Sequence, residues 1–177
     1  MPGTAQIRCL PSVGDREIED LCDVLIDCVD GGAAVTFLAP ISRSKARAYW
    51  LGIAASAARG ERLVFVADDA AGTIVGTVQL ALNQPENQPH RADIAKMLVH
   101  RRARRQGIGA ALLAAAEAQA LHAGKTLLVL DTAGGDAERL YARSGWQRAG
   151  QIPGYGLSSD GTLHATTFYY KSLHAEG

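Results

Sequence analysis

Apolar positions along this chain fall into two periods, a three-to-four-residue step and a near-alternating one, and the switches between them predict its elements. From Asp15 onward Ile18, Leu21, Cys22, Leu25, Ile26 and Val29 form the stripe of an amphipathic helix, which Asp30-Gly31-Gly32 stops. Ahead of it, Ala5 to Leu10 alternates weakly and predicts a first strand ended by Pro11-Ser12. Ala33 to Leu38 is apolar and loop-like. Ser42 or Ser44 then opens a second helix with Ala46, Tyr49, Trp50, Ile53 and Ala54 for burial, and Gly60 closes it. Leu63 to Asp68 and Ile74 to Leu82 predict a hairpin about Asp69-Ala70-Ala71-Gly72, and Asn83 to His90 is a surface loop.

The second half repeats strand and helix. Ile94 to Val99 is a strand, followed by a basic loop and an Ala- and Leu-rich helix over Ala110 to Leu121 whose start falls within Arg105 to Ile108. Gly124 caps that helix. Thr126 to Asp131 is a strand with Leu127, Val129 and Asp131 on one face and Leu128 and Leu130 on the other. Asp136 to Arg143 is a short helix. Trp146 to Ile152 and Ala165 to Lys171 close the chain as strands, with turns at Pro153-Gly154 and Asp160-Gly161. The order predicts one α/β domain over residues 1–177 with a mixed sheet.

Composition narrows the partners. The 177 residues suffice for one well-buried core, 47% are hydrophobic and 20% charged, and the formal net charge is zero. A balanced chain has no general attraction to polyanions or membranes, so partners must be recognised locally. The basic run His100 to Arg105 lacks interleaved aromatics and lies inside a strand-to-helix join, so nucleic acid is not expected as a partner. Neither a membrane span nor a secretion signal is apparent, which makes the cytoplasm the expected compartment. Cys9, Cys22 and Cys28 are odd in number and not spaced as zinc ligands, so they are expected as reduced, buried or half-buried residues, and no metal is expected.

The chemistry concentrates in the basic join. A helix starting after Gly107-Ile108-Gly109 points unpaired N–H groups and its positive dipole end into the loop, where a pyrophosphate can rest. A dinucleotide-binding turn fits poorly because its third glycine would fall at Leu112, and a Walker-A loop fits no better because no Gly-Lys-Ser/Thr follows. Arg104-x-x-Gly107-x-Gly109 directly after an apolar strand resembles the motif of the GNAT superfamily of acyl-CoA-dependent N-acetyltransferases. The resemblance implies the GNAT fold, with two adjacent parallel strands splayed apart at Ile94 to Val99 and Thr126 to Asp131, and acetyl-CoA entering between them. It implies that the backbone of Met97, Leu98 and Val99 holds the pantetheine arm. Arg104, Arg105, Gln106, Gly107, Ile108, Gly109 and Ala110 would hold the pyrophosphate, with Asp131, Thr132 and Tyr141 also beside the cofactor. A tyrosine on the helix after the second splayed strand acts as general acid to the CoA thiolate in many members, and Tyr141 matches that place.

Asp93 and Asp131 are acidic positions on strands that otherwise read as buried, where an unpaired carboxylate is costly. Either is a candidate to draw in the substrate ammonium and accept its proton, and either has a plainer reading: Asp93 as a partner of Arg91 or Lys96, Asp131 as a cap of the following turn. Tyr141 has one too, packing beside Trp146.

Asp30-Gly31-Gly32-Ala33-Ala34-Val35, Arg91-Ala92-Asp93, Leu130-Asp131-Thr132, Pro153-Gly154-Tyr155 and Asp160-Gly161-x-Leu163-His164 resemble the tabtoxin-resistance acetyltransferase branch, over about Asp30 to Leu173. That branch acetylates a β-lactam toxin, so the resemblance implies toxin resistance and a small-molecule amine acceptor walled by Gly31, Gly32, Asp93, Asp131 and Tyr155. The chain departs from it at Arg105 for glycine, Arg101 for proline and Asp93 for glutamate, and the shorter Asp93 side chain points to a different acceptor. His164 reads as a solvent-exposed turn residue, with a place facing the acceptor as the alternative, and Tyr155 reads as a substrate wall or only a rim aromatic. Two alternatives stand beside direct transfer to a small amine: a protein or peptide N-acetyltransferase, and a non-catalytic acyl-CoA sensor. GNAT proteins are commonly dimers, so a homodimer is part of what the resemblance implies.

Overall fold

The computed structural model describes residues 5–174. The chain runs through β1 (Gln6–Cys9), α1 (Asp15–Asp30), α2 (Arg43–Ala58), β2 (Arg62–Asp68), β3 (Ile74–Ala81), β4 (Arg91–Val99), a single 3-10 turn (Arg101–Ala103), α3 (Ile108–His122), β5 (Leu127–Thr132), α4 (Gly135–Arg143), β6 (Gln147–Leu157) and β7 (Leu163–Ser172). The seven strands form one sheet in the order β1-β2-β3-β4-β5-β7-β6, parallel only between β4 and β5.

Local chemistry sets most boundaries. Ser42 Oγ accepts the Lys45 N–H at 3.2 Å, so Ser42 rather than Ser44 caps α2. Asp69 Oδ1 accepts the N–H groups of Ala71 and Thr73 at 3.0 Å each, which closes the β2–β3 hairpin. The sheet carries an apolar layer on each side. Val64, Val66, Ile74 and Leu98 pack with α1 and α2, while Phe65, Val78, Leu80, Ala92, Ile94, Leu128 and Leu130 pack with α3.

Two expectations need correction. β4 begins at Arg91 rather than Ile94, because Arg91, Ala92 and Asp93 pair with Leu127, Leu128 and Val129 of β5. Pro153-Gly154 is not a turn. β6 continues through it to Leu157, and the β6–β7 register skips between Ile152 and Gly156 with Gly154 at φ 61°. A bulge of this kind tolerates proline because β6 is an edge strand and the missing N–H breaks no interior ladder.

Candidate functional site

The β4–β5 pairing stops at Asp93 and Val129, and beyond that point the two strands share no ladder. β4 adds a bulge: Gln79 faces Ala95 and Thr77 faces Leu98, so Lys96 and Met97 together oppose Val78, with Lys96 at φ 51°. The bulge turns Met97 toward the gap and returns Leu98 to the sheet. Met97 and Val99 line a cleft of about 910 Å³. The Leu98 side chain is buried in the α1–α2 layer and the residue pairs with Thr77, which leaves only its backbone for the contact the resemblance implies.

α3 starts on this cleft. Arg105 at φ 62° and Gly107 at φ 76° are both left-handed, which folds the loop tightly enough to place the helix start beside β4. The first bond across the helix start runs from Ala111 N–H to Gly107 C=O at 3.1 Å, so the N–H groups of Ile108, Gly109 and Ala110 have no helical acceptor. Val99 C=O accepts from Arg104 Nε at 3.1 Å and from Cys28 Sγ at 3.5 Å, which ties the loop to the strand end. Arg104, Arg105, Gly107, Ile108, Gly109 and Ala110 all line the cleft, and Gln106 is exposed beside them without lining it. Free amides, a helix dipole and two arginines make this wall suited to a diphosphate.

Gly31 and Gly32, expected to wall the acceptor, line this same cleft from the end of α1. The opposite wall comes from α4 and its start, with Gly134, Gly135, Ala137, Arg139, Leu140 and Arg143. Sequence reasoning missed this wall. Arg139 and Arg143, four residues apart on one helix, were the available signal. Gly109 is held close here, since a Cβ on it would sit 3.2 Å from Leu140 Cδ2.

The expected chemical residues separate. Asp93 is neutralised in place, its carboxylate paired with the Arg91 guanidinium and accepting Gln84 Nε2 at 3.1 Å. These donors give the Asp93 carboxylate the structural partner that its plainer reading expected. Asp131 is exposed at the end of β5, with no hydrogen-bond or ion-pair partner among the described residues. Thr132 pairs with Thr167 of β7, and its Oγ1 accepts the Gly134 N–H at 3.5 Å.

Tyr141 is buried on α4, its ring 5.8 Å from Trp146 and 5.9 Å from Tyr169. Burial first, and the Asp131 charge second, push its hydroxyl well above the usual tyrosine range. That hydroxyl has no hydrogen-bond partner, and Trp50 Nε1 is the one fully buried unpartnered side-chain polar atom among the described residues. The Tyr141 hydroxyl therefore keeps an opening to solvent. Tyr155 is exposed and stands edge-on to Phe168 at 5.9 Å. His164 is half-buried rather than a free turn residue, with Nδ1 3.0 Å from Ala165 C=O.

The three cysteines are free, Cys22 and Cys28 buried and Cys9 exposed. Among the described residues no helix is long and apolar enough to cross a membrane, and no group of three or more His, Cys, Asp or Glu could hold a metal ion.

Comparison with known proteins gives a consistent result. The model of the Acetyltransferase (GNAT) family matches residues 33–146. An uncharacterized N-acetyltransferase of Azospirillum brasilense, from the hisH-hisA intergenic region, is 32% identical over 117 residues, covering 65% of this chain and 67% of the relative. Among solved structures, the ribosomal-protein-alanine N-acetyltransferase of Brucella melitensis superposes with a TM-score of 0.78 at 23% identity, over 95% of this chain and 99% of that one. A phosphinothricin acetyltransferase of Sinorhizobium meliloti in complex with acetyl-CoA gives 0.77 at 20% identity, over 97% and 89%. At these identities the structural likenesses speak for the shared fold.

Proposed function

The chain belongs to the GNAT acetyltransferase family, and from this premise we propose that it moves the acetyl group of acetyl-CoA directly to a small-molecule amine. The observation that carries the reading is the cleft itself: splayed strands, a bulge that presents Met97 and Val99, and an α3 start whose three free amides and flanking arginines suit the CoA diphosphate. The strand end leaves backbone groups for the pantetheine arm, and the same strand offers an N–H donor to the thioester oxygen as charge develops.

In this reading the neutral amine attacks the thioester carbon. The C–N bond forms, the C–S bond breaks, and the electron pair leaves with sulfur. Tyr141 supplies the proton to the thiolate. Its hydroxyl stays protonated across the neutral range because burial holds it so, and it is unpartnered yet open to solvent. Asp131, exposed and unpaired, attracts the ammonium form of the acceptor and takes its proton directly or through water. No covalent enzyme intermediate is required, and Cys28, a buried thiol pushed up by its burial, plays no part.

The test is CoA-thiol release from acetyl-CoA against small amines, amino acids, β-lactam toxin analogues and peptides, with calorimetric acetyl-CoA binding alongside. Release with a small amine is the expected result. Release with peptides alone points to a protein acceptor, and binding without any release points to a sensor.

A further inference from the structure

One charged side chain at the splay is used by nothing described above. Lys96 sits on the β4 bulge, half-buried, and forms no hydrogen bond or ion pair among the described residues. Non-glycine residues seldom adopt its left-handed backbone, so the fold holds this lysine at some strain.

Its surroundings follow from the register. Gln79 donates to Tyr49 of α2 at 3.0 Å, so the sheet face carrying Gln79 and its partner Ala95 looks toward α2. Asp93 lies on that face, its partner Val129 continues it across to β5, and Asp131 is the next residue of β5 on the same side. Phe168 pairs with Asp131 and carries Tyr155 against it, giving this side an aromatic wall. Lys96 and Asp131 therefore stand on opposite banks of the splay. The Asp131 charge reaches Lys96, yet the two form no ion pair among the described residues. Behind Lys96, Arg62 adds a second cation whose guanidinium donates to Gln79 Oε1 at 2.6 Å and Ser56 Oγ at 3.0 Å, neither of them anionic.

The result is a gap with an acid on one side and a lysine on the other, neither held in an ion pair among the described residues, and with Arg62, which also feels Glu61, behind the lysine. Burial lowers the Lys96 ammonium below its ordinary value, and Arg62 adds to that, so an anion arriving beside it is bound more strongly than at an open surface. We propose that Lys96 is a specificity-determining residue that binds a carboxylate on the acceptor, while Asp131 faces the acceptor's amine; the substrate class is then an amine that also carries a carboxylate. The inference rests on the acetyl-transfer reading above and deepens it.

The experiment measures kcat/KM for acetylation of a panel of L-amino acids and ω-amino carboxylic acids, each beside its carboxamide, in the wild type, Lys96→Met and Lys96→Arg. The wild-type ratio of acid to amide absorbs the intrinsic difference in amine basicity, so only its change between variants is read. Losing one charge-assisted contact should lower that ratio in K96M by about ten- to a hundredfold, mainly through KM for the acid, and K96R should restore most of it. A ratio that K96M leaves unmoved, or an equal loss for acid and amide, overturns the proposal. Release only with amines lacking a carboxylate overturns it too, while acetyl transfer stands. Failure of the wild type with every acceptor overturns the acetyl-transfer reading itself and this inference with it.

Discussion

Gly76 of β3 lies close under the start of α3, and replacing it with alanine tests how that helix is seated. A Cβ at this position would lie 3.0 Å from Ile108 Cγ2, 3.2 Å from Leu112 Cδ1 and 3.4 Å from Leu98 C=O. Ile108 and Leu112 are buried, and Ile108 is branched at Cβ, so its methyl cannot swing aside without an eclipsed rotamer. The start of α3 must then move by a few tenths of an ångström. Overpacking of this size costs about 1–3 kcal/mol, and the entropy gained by replacing glycine returns about 0.5–1 kcal/mol. The expected net loss is about 1–2 kcal/mol, which for a domain of this size lowers Tm by about 2–8 °C. Because Ile108 is also the first residue of the helix, its shift carries the free amides of Ile108, Gly109 and Ala110 with it, and acetyl-CoA should bind about two- to fivefold more weakly. Scanning calorimetry of G76A and titration with acetyl-CoA read the two effects together. A Tm at or above the wild type with an unchanged Kd would refute the seating of α3 on Gly76.

Gly52 supplies the opposite sign, since a Cβ there meets nothing within 4 Å on an exposed face of α2; Gly52→Ala should stabilise by about 0.5–1 kcal/mol, seen as a higher Tm with activity unchanged. Tyr141→Phe should lower kcat by about a hundredfold while acetyl-CoA affinity and Tm stay near wild type, because the hydroxyl has no internal partner to lose; unchanged kcat would remove the general-acid role. Asp27 of α1 accepts the Arg101 N–H at 2.8 Å and its Nε at 3.0 Å, fastening the turn that follows β4. Burial alone would raise the Asp27 carboxyl, but these hydrogen bonds and the nearby His100 and Arg101 charges outweigh it and hold it below its ordinary value. A depressed carboxyl stabilises the fold above its unfolded value and loses that contribution as pH falls through the folded one. Asp27→Asn should therefore lower Tm at pH 7, by about 2–4 °C, and the gap to wild type should close on acidification below about pH 4.

The order of elements, the Ser42 cap and the glycine-rich start of α3 were legible in the linear sequence, because each rests on contacts a few residues apart. Helical spacing in α1, the Ser42 cap, the Asp69 turn and the glycines that open α3 act locally, and the GNAT motif is itself a local strand-loop-helix arrangement. Register was not legible. The early start of β4 depends on β5, 36 residues away between Arg91 and Leu127, and the run of β6 through Pro153 depends on pairing with β7. Side-chain neighbourhoods were hidden for the same reason. Asp93 and Asp131 read alike as acids in apolar strands, yet one is neutralised by Arg91 and Gln84 and the other stands free at the splay. Tyr141 had both a catalytic and a packing reading, and the fold gives its ring the packing while leaving its hydroxyl open. Lys96 entered the sequence reading only as a cation offered to Asp93; the bulge against Val78 instead brings it to the gap. The sequence by itself determined which segments are helix and strand and the tight glycine-rich loop that opens α3, since propensity and turn chemistry are short-ranged. Which charges are left unpaired at the centre was decided by the tertiary structure, since that depends on which distant strands meet and on where their pairing stops.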